Sequence, residues 1–253
     1  MRAFLSALSF LTIMPMPARV NLDSASLGRS TVFFPLIGLL IGLFVMTVSH
    51  LLYYIFPPQV AALLVVGFLA GASGALHLDG LADTCDGFLS ARPREKVLVI
   101  MRDSRIGTMG VAGIIFLVLG KWTSLRCIPT PAIWSTIVLM PVSGRTALLV
   151  MMAVLPYARA EGGLGTAFLG ARDLKWLGVA IGTGLMVVFS VTGFGRLGVI
   201  VTATSLGFVL VFCALCYRRI GGYTGDTLGA ICEMAELVPA LIAVAVVHGG
   251  GCL

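Results

Sequence analysis

Seven apolar runs, most of them near the roughly 20 residues that cross a bilayer, decide what this chain can fold into. They fall at 32–56, from Gln59 to about Leu78, and at 108–126, 132–155, 177–193, 197–217 and 231–248. Backbone groups in hydrocarbon must find their hydrogen bonds within the segment, so such runs are read as helices. The fold class that follows is all-α: a polytopic membrane helix bundle of about seven transmembrane helices, forming a single domain over residues 1–253. Of the 253 residues, 58% are hydrophobic and only 11% charged, as a bilayer-embedded chain requires. Residues 3–14, AFLSALSFLTIM, are too short to cross; the MPMPAR after them is a poor cleavage site for a signal peptide, and no soluble domain follows. An interfacial or re-entrant helix stopped by Pro15 and Pro17 is expected there. Gly38 and Gly42 form a GxxxG that seats a neighbouring helix, and Gly67, Gly71 and Gly74 are spaced for close backbone approach.

If residues 1–31 are cytoplasmic, the loops 89–107, 156–176 and 218–230 share that side. It then holds 13 of the 17 Lys and Arg residues, against Lys121, Arg126 and Arg196 opposite and Arg145 within a span. This bias accounts for the net charge of +6, so nucleic acid is not an expected partner and the lipid bilayer is. Under this topology every carboxylate lies at or near the cytoplasmic face, an arrangement that favours an interfacial active site over a transporter's midplane site. The six cysteines are scattered; Cys213 and Cys216 lie inside an apolar run and read as small core residues.

Against that background the stretch HLDGLADTCDGF, residues 77–88, stands out. Asp79, Asp83 and Asp86 are spaced to project from one face of a helix. Three like charges so close repel unless a cation sits among them, and carboxylate oxygens suit a hard divalent ion such as Mg²⁺. The alternative is a solvated acidic helix end, but ionisable groups at the edge of a span are costly enough to point to function. His77 sits on the opposite side of this helix and reads as structural.

A second cluster follows in ARPREKVLVIMRDSRIGTMG, residues 91–110, where Arg92, Arg94, Lys96, Arg102 and Arg105 gather beside the stripe. Arg forks pair well with phosphate oxygens, and the backbone N–H groups of Gly107 and Gly110 open the next span where an anion fits. A plain positive-inside loop explains the number of cations but not Asp103 among them. Arg145 lies about 15 Å inside its span, either as a buried ion pair or as a ligand of the site. Tyr157, Arg159 and Glu161 occupy a loop that is a substrate lid or a connector. Asp226 or Thr227 caps the last helix, whereas Glu233 and Glu236, one turn apart in an apolar span, need a cationic partner or a second metal.

Carboxylates around a divalent metal, an Arg-rich loop and an interfacial position together suit transfer from a diphosphate, with one free carboxylate taking the proton of an attacking hydroxyl. No GxxxxGK[ST], GxSxG or HExxH motif is present. Taken in order, HLDGLADTCDGF, IMRDSRIGTMG, PYARAEGGLG and GGYTGDTLGA resemble the cobalamin synthase family, also called adenosylcobinamide-GDP ribazoletransferases, over essentially the whole chain. The resemblance implies a Mg²⁺-dependent integral enzyme of late vitamin B12 synthesis in the cell inner membrane, with its active site facing the cytoplasm. It also implies small-molecule substrates: the adenosylcobinamide-phosphate group passes from adenosylcobinamide-GDP to α-ribazole or its 5′-phosphate, and GMP leaves. Carried onto this sequence, Asp79, Asp83 and Asp86 become the catalytic and metal group and Asp226 and Glu233 further acidic partners. Arg92, Arg102, Asp103, Arg105, Arg145, Arg159 and Asp226 become substrate contacts. A CDP-alcohol phosphotransferase resembles the DxxDG of Asp83, Asp86 and Gly87, but its AR pair follows at a shorter interval and its later GxxxDxxxD is absent. A transporter is the other alternative, and assembly into a homo-oligomer is left open by the sequence.

Overall fold

The computed structural model describes residues 2–14, 24–130, 132–159, 166, 168 and 172–249. The expected helix stop at Pro15 and Pro17 and the lid residue Glu161 lie outside them. The described residues are mostly helical and form no strand, with α1 (Arg2–Leu11), α2 (Ser24–Ser30), α3 (Phe34–Ile55), α4 (Pro58–Ala72), α5 (Leu76–Phe88) and α6 (Arg94–Ile100) in the first half. The second half holds α7 (Thr108–Cys127), α8 (Ala132–Val154), α9 (Arg172–Phe194), α10 (Gly198–Ile220) and α11 (Gly225–Gly249). It is the multi-pass bundle expected from the apolar runs. At its centre runs α8, buried along nearly its whole length, with α3 and α9 packed on one side and α11 on the other.

Five stretches are long and apolar enough to cross a membrane, or six if α4 and α5 count as one broken span, where the sequence reading expects about seven. Part of the difference is the 49-residue stretch Arg172–Ile220, which counts once but is folded back on itself. Gly195 turns the chain at φ +56°, and the Thr202 hydroxyl then donates to Ser190 Oγ at 3.1 Å, across twelve residues that a straight helix would hold about 18 Å apart. Residues 2–11 do form a short helix, which buries Ala7 and Leu11 against the bundle.

Gly38 and Gly42 do seat a neighbour. A Cβ on Gly38 would stand 2.5 Å from the Pro141 carbonyl oxygen, and one on Gly42 2.8 Å from Val138 Cα, so α3 and α8 touch backbone to backbone. The same expectation fails for α4, because a Cβ on Gly67 or Gly71 would meet nothing within 4 Å. Gly74 instead serves a turn. It and Ala75 adopt φ of 60° and 59°, and the helix expected to continue into the acidic stripe breaks there and bends by 90°. The bend lays α5 across the end of the bundle, so its acidic face meets other elements of the fold. Cys213 and Cys216 are buried and free, as expected of core residues.

Candidate active site

The stripe is helical, and each of its acids has a different surrounding. Where α5 crosses α11, Gly80 and Gly229 face each other: a Cβ on Gly80 would stand 2.7 Å from the Asp226 carbonyl oxygen, and one on Gly229 2.9 Å from that of His77. This contact brings the N-terminal end of α11 against the stripe. Gly80→Val forces two backbones apart, and we expect about 1–3 kcal/mol of lost stability together with lower activity, read by thermal unfolding in detergent. An unchanged unfolding midpoint would show that the helices do not touch there.

Asp86 lies about one turn beyond Asp83 on the same helix. Its Oδ2 accepts the Gly107 N–H at 2.7 Å and its Oδ1 the Gly110 N–H at 2.8 Å, so the anion at the start of α7 is the protein's own carboxylate. Both oxygens satisfy helix-end donors and sit at the positive end of the dipole. Asp86 is thereby turned from a free ligand into a cap.

Two loops join at the same end. The Ala158 N–H donates to the Tyr223 carbonyl at 2.8 Å and the Tyr223 N–H to that of Pro156 at 2.9 Å, which ties 156–158 to the start of α11. Arg159 thereby reaches Asp226, Nη2 to Oδ2 at 2.6 Å. The cap of α11 is supplied by Thr224 and Thr227, whose hydroxyls each accept the other's backbone N–H at 3.3 and 2.8 Å. Asp226 is not needed for that cap: its Oδ2 accepts the Thr224 hydroxyl at 3.2 Å and the Arg159 guanidinium.

Asp83 sits within electrostatic reach of Asp79, Asp226, Asp86 and Arg159, so acids from two distant parts of the chain do gather. Among the described residues neither Asp79 nor Asp83 has a side-chain hydrogen bond or ion pair. Both line a polar chamber of about 280 Å³ shared with Arg102, Asp103 and Ser104. Asp103 is clasped by Arg105 at 3.0 and 2.7 Å, and those hydrogen bonds pull its carboxyl down to about 2, so the clasp stays ionised at any physiological pH. Arg92 is exposed and lines neither this chamber nor the one behind it.

That second chamber, about 160 Å³, is apolar: Phe34, Phe168 and Leu148 are among its walls, with Asp79, Asp226 and His77 as its polar members. Asp79 lines both. His77 is buried and its Nδ1 has no hydrogen-bond partner. Sequence reasoning passed over this residue because it faces away from the stripe.

Arg145 and Glu233 are placed elsewhere. Lys121 Nζ donates to Glu233 Oε2 at 2.6 Å and to Glu236 Oε2 at 2.7 Å, while Arg145 pairs with the other oxygen of Glu236. All four are buried where α7, α8 and α11 meet. Glu233 and Glu236 therefore depart from the expectation that every carboxylate lies at the face, and the cationic partners they needed are Lys121 and Arg145. The unexplained acidic pair was the available signal; the spacing of Lys121 on another helix gave no hint that it answers it.

Among the described residues no three His, Cys, Asp or Glu side chains converge into a group that holds a metal. With Asp86 capping α7, Asp79 and Asp83 are the carboxylates of the stripe that have no partner among the described residues. Mg²⁺ commonly takes only one or two carboxylates, keeps several waters, and completes its shell with substrate phosphates. This oxygen-only set fits an ion that shares its coordination with a diphosphate.

The sequence matches the family described as cobalamin-5-phosphate synthase over residues 3–244. The relatives that carry the name adenosylcobinamide-GDP ribazoletransferase include proteins from three different genera. The protein from Geotalea daltonii is 36% identical over 97% of this chain and 98% of its own length. That from Acetivibrio thermocellus is 36% identical over 93% and 94%, and that from Escherichia coli 41% identical over 94% and 97%. No solved structure matches the chain.

Proposed function

The chain belongs to the cobalamin-5-phosphate synthase family, and on that premise we propose that it transfers the adenosylcobinamide-phosphate group of adenosylcobinamide-GDP to α-ribazole or its 5′-phosphate. The observation that carries this reading is Asp79, a carboxylate unpaired among the described residues that borders a polar chamber on one side and an apolar one on the other. A diphosphate in the polar chamber lies beside Arg102, which binds its oxygens. The acceptor's ribose hydroxyl, brought against Asp79, gives its proton to that carboxylate as its oxygen bonds to the cobinamide-side phosphorus. The bridging P–O bond breaks and its electron pair leaves with GMP, so charge and atoms balance. Mg²⁺ held by Asp83 would neutralise charge on the diphosphate and on the departing GMP. Asp226, paired with Arg159, holds the loop that ends at Arg159 against the start of α11. In this reading the enzyme sits in the inner membrane with this end toward the cytoplasm, the side to which the Lys and Arg excess assigns it.

The test is GMP release from adenosylcobinamide-GDP plus α-ribazole 5′-phosphate by detergent-purified protein, with and without Mg²⁺. Release that needs both substrates and the ion supports the reading; binding without release would make the chain a carrier. Asp83→Asn is expected to need at least tenfold more Mg²⁺ for half-maximal rate, a change of about 1.4 kcal/mol. An unshifted Mg²⁺ titration would remove Asp83 from the ion.

A further inference from the structure

We infer that the apolar chamber behind Asp79 is the seat of the acceptor's aromatic base, with His77 as its polar contact; this rests on the transferase reading above. The chamber's walls are aromatic and aliphatic. Phe10, Phe34 and Phe168 pack against one another with centroids 4.8–6.1 Å apart, which makes a firm ring-binding surface. Its volume of about 160 Å³ is far too small for a corrin; a cavity of similar volume takes one benzene ring, so a benzimidazole fills this one and extends to its mouth. Of the two bases in the reaction, guanine carries an amino group, a carbonyl and several ring nitrogens, each of which loses its water at a penalty in such a place. The methylated benzimidazole of ribazole has one free ring nitrogen. His77 lines the chamber and its buried Nδ1 has no partner among the described residues, so a turn of the ring brings an N–H toward the chamber at no cost in protein hydrogen bonds, and that N–H donates to the base nitrogen. A base so held puts its ribose at the chamber's polar end, where Asp79 opens onto the diphosphate. The guanine of the donor then lies outside this chamber.

The experiment uses the full chain in detergent. In the wild type, free 5,6-dimethylbenzimidazole competes with the acceptor and not with adenosylcobinamide-GDP; competition with the donor instead would overturn the assignment. Leu148→Phe, which fills the chamber, raises the acceptor KM tenfold or more and leaves the donor KM unchanged. It affects the riboside of unsubstituted benzimidazole less. An unmoved acceptor KM, or a raised donor KM, would also overturn it. If Leu148→Phe does not fold, His77→Leu decides: the wild type prefers the benzimidazole acceptor about tenfold over its indole analogue, which lacks the free nitrogen, and the variant loses that preference. A preference unchanged in the variant removes His77 from the contact. Were the wild type to release no GMP at all, equilibrium dialysis of dimethylbenzimidazole against wild type and Leu148→Phe would still test the chamber, so the two readings fail separately.

Discussion

Asp79→Asn lowers kcat for GMP release by about 10²–10⁴, the range lost when a positioned proton acceptor is removed, while the KM for adenosylcobinamide-GDP changes little. The amide matches the carboxylate in shape and, since Asp79 has no side-chain hydrogen bond or ion pair among the described residues, no packing contact is broken with it. What the amide cannot do is accept a proton from a ribose hydroxyl. Because that interaction is made only as the proton moves, its loss appears in kcat and not in donor binding. Initial rates at saturating Mg²⁺ separate this from Asp83→Asn, whose defect is expected to shrink as Mg²⁺ is raised. A variant that keeps more than roughly a tenth of the wild-type kcat would assign the proton to another group.

The acids of this end were legible for a physical reason. Charged groups beside apolar runs are expensive, and their i, i+4, i+7 spacing on one helix is a local property that a sequence displays. What joins them across the fold is not local. That Asp86 would cap α7 depends on the bend at Gly74 and Ala75, since only a helix turned across the bundle reaches the N–H groups of Gly107 and Gly110. The glycines show the same division. GxxxG at Gly38 and Gly42 was read correctly, whereas Gly67 and Gly71 have the same small-residue look and face nothing. Spacing tells which residues share a face, and the opposing surface decides whether that face is used. Gly80 and Gly229, the pair that sets the α5–α11 crossing, belong to no repeated motif and had no local signal. Membership of the acid cluster was misjudged for Glu233, since an apolar span displays its acids but not the cation on a neighbouring helix that neutralises them.

That neutralised group supplies the second large effect. Lys121→Met destabilises the protein by about 3–5 kcal/mol, lowering its unfolding midpoint in detergent by on the order of 10 °C. Lys121, Arg145, Glu233 and Glu236 balance as two charges of each sign, all buried between α7, α8 and α11. Met fills nearly the same space as the Lys stem, so the loss is electrostatic: Glu233 Oε2 and Glu236 Oε2 are left without their donor where no water replaces it. Arg145 still answers Glu236, which leaves one uncompensated negative charge. The double variant Lys121→Met with Glu233→Gln is neutral again. It should therefore recover a large part of the stability, as residues in one network do when both members of a pair are removed. Thermal unfolding of the four proteins in the cycle checks this. If the double variant is as unstable as the sum of the two single ones, the Lys121–Glu233 pair carries no coupling, and α7 is held to α11 by apolar packing such as that of Leu237 over Gly120.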